Sequence, residues 1–203
     1  AVFCKKIKEN WKLYVAIADV AHYVSKNSNI DKEAFKRGTS VYFPGFVIPM
    51  LPEVLSNDLC SLKPNEDKLV VIAEIVIDKG GSIKSYNFEN ALIKSSARLT
   101  YNVVEEFLKG KNIIQDCEVI KNINNLYSLY KSLEKNRAKR NAISFDSNEV
   151  SFFVSKSNEI ESIKSSARME SQKIIEECMI AANIASSLFI KKNKKNTLYR
   201  VHD

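Results

Sequence analysis

The sequence predicts an α+β fold in which a mixed or antiparallel sheet packs against helices. Strand patterns are concentrated in the first 95 residues, where apolar residues alternate with polar ones or form runs bounded by turn residues. Helical periodicity dominates after residue 100. No repeat, linker or low-complexity tract divides the 203 residues, so we expect one structural unit.

The N-terminal segment predicts two strands over residues 1–24, with a turn at residues 9–10. Residues 30–37, IDKEAFKR, predict a short helix that Gly38 ends, because glycine readily adopts the left-handed conformation of a helix terminus.

Residues 37–62 read RGTSVYFPGFVIPMLPEVLSNDLCSL, where Pro44, Pro49 and Pro52 interrupt an apolar stretch. Each proline fixes φ and removes a backbone donor, so the segment predicts an ordered, irregular loop rather than a helix or a ladder strand. A loop this apolar and this stiff is typical of the wall of a binding site.

The apolar run LVVIAEIVID (69–78) predicts a central strand, followed by a turn and an antiparallel partner. Thr100 predicts the cap of a helix that runs to Leu108, and Asp116 begins a second helix with a regular apolar stripe.

The remaining elements are predicted from shorter signals. Residues 143–164 indicate short strands, and residues 168–191 indicate a third helix whose middle is apolar on most faces. The closing TLYRVHD (197–203) indicates a last strand.

The charge balance favours an anionic partner. Lys and Arg number 31 against 24 Asp and Glu, a net charge of +7, which suits nucleic acid or an anionic membrane surface but also a basic protein with neither partner. The four cysteines show no CxxC spacing and suggest buried free thiols of a reducing compartment. With no signal peptide or membrane-length apolar run, we expect a cytoplasmic protein that does not bind a membrane.

Six sequence blocks in order resemble the RNB catalytic domain of the ribonuclease II and ribonuclease R exoribonucleases. They are VAIADVAHYV (15–24), the proline segment (37–62), SSARLTY (95–101), RNAISF (140–145), KIIEECMIAAN (173–183) and LYRVHD (198–203). The stretches around RNAISF and IIEECMIAAN resemble ribonuclease R more closely than ribonuclease II.

The resemblance implies a monomeric, magnesium-dependent enzyme that degrades single-stranded RNA processively in the 3′→5′ direction to nucleoside 5′-monophosphates. It also implies that residues 1–203 are a single partial RNB domain, truncated at both ends. The family's aspartate ligands are expected upstream of Ala1, and a late arginine and glutamate beyond Asp203. No DxDD-like cluster occurs in the chain, so we expect no metal ligands here and no cleavage by this segment alone.

The resemblance assigns RNA-binding roles to aromatic residues. Tyr42 and Phe145 correspond to a pair of rings that grip the bases, and Tyr101 corresponds to a catalytic-site tyrosine that packs on the terminal nucleotides. Local pattern alone leaves Tyr42 equally well explained as a strand tyrosine, and it favours Phe145 in the core and Tyr101 as a first-turn helix residue.

Glu176 corresponds to a carboxylate near the active centre that contacts ribose hydroxyls, the groups that distinguish RNA from DNA. Its neighbour Glu177 is expected to be structural, since a carboxylate in an apolar stretch must be paired if it is buried. Two alternatives stay open: a catalytically inactive RNA-binding protein on the same fold, and a basic α+β domain with another role.

Overall fold

The computed structural model describes residues 1–139, 149–154, 160–166 and 168–199. Its strands are β1 (Val2–Ile7), β2 (Asn10–Ala18), β3 (Val41–Phe43), β4 (Phe46–Ile48), β5 (Asp67–Ile77), β6 (Ile83–Lys94), β7 (Glu149–Val154) and β8 (Ile160–Ser166). Its helices are α1 (Val20–Tyr23), α2 (Asn29–Arg37), α3 (Tyr101–Leu108), α4 (Cys117–Lys139) and α5 (Glu170–Lys192), and a π-helical segment covers Val54–Leu59.

The main sheet has the strand order β1-β2-β5-β6, and each neighbouring pair is antiparallel. The predicted α+β class is confirmed, and β5 is a central strand as expected. Two further hairpins, β3–β4 and β7–β8, form separate two-stranded sheets.

The hydrophobic core lies between the main sheet and helices α4 and α5. In β2 and β5 the inward positions carry the fully buried side chains Leu13, Val15 and Ile75, which follows from the two-residue period of a strand. The stripe predicted for α4 is confirmed by the burial of Ile123 and Leu126 among others. Burying one such side chain stabilises the fold by roughly 1.5–3 kcal/mol.

Helix α4 also satisfies the backbone of the edge strand β1. The Asn122 side-chain oxygen accepts from the Cys4 amide at 2.8 Å, and the Asn125 side-chain nitrogen donates to the Cys4 carbonyl at 3.0 Å. An unpaired strand edge would invite pairing with another chain, so these two amides protect the strand's backbone groups as well as dock the helix.

The boundaries of α2 and α3 agree with the sequence signals. Gly38 ends α2 at φ +69°, and the Thr100 hydroxyl caps α3 by accepting from the Val103 amide at 3.3 Å. The Asp116 carboxylate accepts from the first amides of α4, at 2.9 Å from Glu118.

Two predictions about the first 62 residues are wrong. The second strand ends at Ala18 rather than continuing to residue 24, because Asp19 caps the short helix α1 by accepting from the His22 amide. The proline segment is not wholly irregular: it contains the β3–β4 hairpin and the π-helical segment.

The hairpin forms despite its prolines because none of them occupies a ladder position. Pro44 and Gly45 make the two-residue turn, with Gly45 at φ +86°, and Pro49 follows the last paired residue. Proline's missing donor therefore costs this ladder nothing.

The C-terminal strand predicted over 197–203 does not form in its described part, residues 197–199, and the rest lies outside the described residues. The four cysteines are free thiols, but the expectation that all are buried is wrong, since Cys117 is exposed. Burial raises the pKa of Cys4 and of Cys178 to about 12, so both stay protonated at neutral pH. Within the described ranges, no helix is both long and apolar enough to span a membrane.

Candidate functional site

The β3–β4 hairpin presents a small aromatic surface. Tyr42 is 78% exposed and pairs across the hairpin with Val47, while the rings of Phe43 and Phe46 stack at 4.7 Å between centroids. Because side chains alternate between the faces of a strand, Tyr42 and Val47 point to one face and the stacked phenylalanines to the other. An exposed tyrosine can stack on any nucleobase, since every base has a π face.

Tyr101 lies at a different place, on the wall of a cavity of about 670 Å³. The cavity is open to solvent on one side and is bounded by all four strands of the main sheet, residues 95–100, the first turn of α3, and helices α4 and α5. Tyr101 is the first residue of α3, so the Thr100 cap fixes its backbone, and its side chain is partly exposed.

The charged side chains that line this cavity are positive. Lys5, Lys94 and Arg98 contribute to its wall, and no carboxylate side chain is among its described lining residues. Lys5 also lies 5.6 Å from the ring centroid of Tyr14, another wall residue. Such a mixture of cations and rings attracts an anionic ligand that carries aromatic groups.

The cavity also contains an unsatisfied hydroxyl. Ser171 is buried, lines the cavity, and its Oγ has no hydrogen-bond partner among the described residues, although its backbone amide donates to Glu105 at 3.2 Å. A buried hydroxyl without a partner costs free energy, so Ser171 lowers the local stability of the fold rather than offering an accessible contact in the cavity.

Two neighbouring carboxylates of α5, Glu176 and Glu177, share an arginine. Arg137 Nη1 lies 2.9 Å from Oε1 of Glu177 and 3.6 Å from Oε1 of Glu176, and Arg168 pairs with Oε2 of Glu176. Only 7% of the Glu177 side chain is exposed, against 29% for Glu176. The structural role expected of Glu177 is confirmed, since it is buried and paired with the end of α4.

Glu176 is therefore a carboxylate with both oxygens engaged by arginines. A ribose hydroxyl could donate to it in addition, because each carboxylate oxygen accepts more than one hydrogen bond. Its role as an RNA contact stays a prediction. The contact of Arg137 with Glu177 joins residues 40 positions apart, and no local sequence pattern predicts it.

Among the described residues, neither Tyr42 nor Glu176 lines the cavity that contains Tyr101. No residue of the β3–β4 hairpin is among the described lining of the Tyr101 cavity, and Glu176 follows two wall residues, Ile174 and Ile175. Phe145 lies outside the described residues. The roles of Tyr42, Tyr101 and Phe145 stay predictions.

Magnesium is not accounted for by the described residues. Among them, no group of three His, Cys, Asp or Glu side chains is placed to hold a metal ion. The described residues therefore do not fit a magnesium site.

Comparison with known proteins identifies the family. The model of the RNB domain matches residues 1–203, and the chain belongs to that family. It is 46% identical to ribonuclease R of Vibrio parahaemolyticus over 206 residues, which cover the whole chain but 25% of that protein. The chain thus spans about a quarter of the length of such relatives.

Solved structures agree with this assignment. Mycoplasma genitalium RNase R in complex with ribose methylated single-stranded RNA matches with a TM-score of 0.96 and 37% identity, over the whole chain and 32% of that protein. Yeast Ssd1, a pseudonuclease, matches with a TM-score of 0.69 at 17% identity, over 94% of this chain and 23% of that chain, which shows a shared fold alone.

Proposed function

We propose that this chain forms part of the RNA-binding channel of a 3′→5′ exoribonuclease of the ribonuclease R type. The enzyme would degrade single-stranded RNA processively to nucleoside 5′-monophosphates with magnesium. The observation that carries the proposal is the match over the whole chain to ribonucleases R, one of them solved with single-stranded RNA bound. A cytoplasmic location and a monomeric enzyme remain predictions from the sequence.

Within this enzyme, we propose that the β3–β4 hairpin contacts the RNA strand before it reaches the active centre and that the Tyr101 cavity holds the 3′ end of the RNA. Tyr42 stacks on a base, with Phe145 as the expected second ring. Tyr101 packs on the terminal nucleotides, and the cations of the cavity wall neutralise phosphates there. Glu176 accepts from a ribose hydroxyl, which selects RNA over DNA.

Substitution of Tyr42 in the full-length protein tests this assignment. Base stacking contributes roughly 1–3 kcal/mol, so Tyr42→Ala should weaken single-stranded RNA binding about tenfold, and Tyr42→Phe should change it little. Phe35→Ala is the matched control, since Phe35 is 89% exposed on α2 outside the hairpin. Equal affinities of Tyr42→Ala and the unsubstituted protein, measured by fluorescence anisotropy, would remove the hairpin from the RNA path.

The second candidate is a catalytically inactive RNA-binding protein. It is favoured by the occurrence of this fold in a pseudonuclease, because the fold then does not by itself imply cleavage. Release of nucleoside 5′-monophosphates from a 3′-labelled RNA with magnesium distinguishes the two. Release supports the enzyme, and tight RNA binding without release supports the binder.

A further inference from the structure

We propose that Arg37 is a positioning residue that holds the β3–β4 hairpin, and with it Tyr42, at a fixed angle to helix α2. This inference rests on the proposed RNA-binding role of Tyr42. Arg37 is the last residue of α2, directly before Gly38, where the chain leaves the helix at φ +69° and turns into the hairpin.

The Arg37 guanidinium joins the two ends of this region. Its Nη1 donates to the Pro49 carbonyl at 2.9 Å, at the point where the chain leaves the hairpin, and its Nε donates to Oε1 of Glu33 at 3.0 Å, one turn back in α2. The Glu33–Arg37 pair is exposed and contributes little stability as an ion pair. Its consequence is geometric, because it orients the planar guanidinium toward Pro49.

Side-chain hydrogen bonds join the two arms of the hairpin beyond the point where the backbone ladder ends. The last ladder pair is Val41 with Ile48, and Pro49 has no amide hydrogen with which to extend it. Beyond this pair, the Ser40 hydroxyl accepts from the Met50 amide at 2.9 Å. Arg37 and Ser40, which precede the hairpin in the chain, therefore bond to Pro49 and Met50, which follow it. These two contacts hold the base of the hairpin closed.

The hairpin needs this support because its own contacts are few. It has three residue pairs, and all six side chains are exposed. An isolated two-stranded hairpin is marginally stable in water, so the orientation of Tyr42 depends on how the base is held. A ring held in its binding orientation loses less conformational entropy when RNA stacks on it.

A double-mutant cycle between Arg37 and Tyr42 tests the inference. The measured quantity is the affinity of the full-length protein for single-stranded RNA. We expect Arg37→Ala to weaken single-stranded RNA binding about fivefold and to add nothing in the Tyr42→Ala background, since it acts through the ring. Arg37→Lys should behave like Arg37→Ala, because an ammonium lacks the guanidinium fork.

Lys36→Ala is the matched control for charge. Lys36 is the exposed neighbour of Arg37 in the last turn of α2, with no hydrogen bond or ion pair among the described residues. Its loss should weaken binding by less than about twofold. Ser40→Ala removes the other tie and should also fail to add to Tyr42→Ala, so the inference stays testable if Arg37→Ala does not fold.

The salt dependence of binding separates positioning from direct contact. A side chain that neutralises one phosphate changes the slope of log affinity against log salt by about 0.7 for a single strand. We expect the Arg37→Ala slope to match that of Lys36→Ala. A larger change, an additive cycle, or no effect of Arg37→Ala would overturn the inference, whereas no effect of Tyr42→Ala would instead defeat the proposed function.

Discussion

Strand β5 and the β3–β4 hairpin have similarly apolar sequences, but most side chains of β5 are covered and those of the hairpin are exposed. Strand β5 buries Ala73, Ile75 and Ile77 in the core beneath helix α5, whereas all six paired residues of β3–β4 are exposed. Hydrophobic composition is thus the same signal for a core strand and for an exposed hairpin. The difference lies in whether a second layer of structure covers the strand, which depends on the rest of the fold.

The largest effect is expected at the turn between the covered strand β5 and strand β6. Gly81 has φ +84°, and an added Cβ would lie 2.4 Å from the Ser132 carbonyl oxygen and 2.8 Å from Asn136 Cβ in α4. Gly81→Ala should therefore lower the free energy of unfolding by about 4 kcal/mol, from overlap with backbone and from strain at positive φ. Urea denaturation measures this loss.

Gly38, which precedes the exposed hairpin, provides the control. It has a similar φ of +69°, but an added Cβ would meet no atom within 4 Å. Gly38→Ala should cost only about 1 kcal/mol through backbone strain. Equal losses at the two glycines would show that the close approach of the β5–β6 turn to α4 is not what requires glycine.

An intermediate effect compares the same residue type in both hairpins. Ile75 in β5 is fully buried, whereas Ile48 in β4 is exposed. Ile75→Ala should lower the free energy of unfolding by about 3 kcal/mol through lost burial and a cavity, and Ile48→Ala by less than about 1 kcal/mol. A comparable loss at Ile48, again by urea denaturation, would mean that the small hairpin is covered.

The smallest effect concerns the carboxylate that organises the β5–β6 turn. The backbone amides of Ser82 and Gly80 donate to Asp78, each at 2.9 Å, and together with Lys84 they hold the pKa of that carboxyl below its usual 3.8. The stabilisation is present above the unfolded pKa and is lost as the pH falls through the lowered folded pKa.

Asp78→Asn should consequently be slightly less stable than the unsubstituted protein at pH 7, and the gap should narrow at a pH well below 3.8, where Asp78 becomes protonated. Urea denaturation at both pH values measures the gap. A gap of the same size at both would show that the charge of Asp78 does not stabilise the turn.

The sequence predicted the elements that local chemistry controls. Gly38, Thr100 and Asp116 mark helix ends because caps satisfy backbone groups within a few residues. The apolar run of β5 predicted a central strand, because a strand covered on both faces needs consecutive apolar residues. The β3–β4 ladder was missed because three prolines within nine residues argue against a strand unless their register is known.

The candidate site was predicted unevenly. The positions of Tyr42 and Tyr101 came from resemblance, and no local pattern separates an exposed ring from a buried one. Arg37 and Arg137 carried no signal as partners of Pro49 and Glu177, because these contacts join residues 12 and 40 positions apart.

The sequence by itself determined the α+β class, the helix caps, the central strand and the basic charge, all of which follow from neighbouring residues and composition. Only the tertiary structure decided which apolar strand is covered, which arginine pairs with the buried Glu177, and which arginine closes the base of the aromatic hairpin. The physical reason is that burial and pairing are properties of surfaces that meet in space, and those surfaces come from distant parts of the chain.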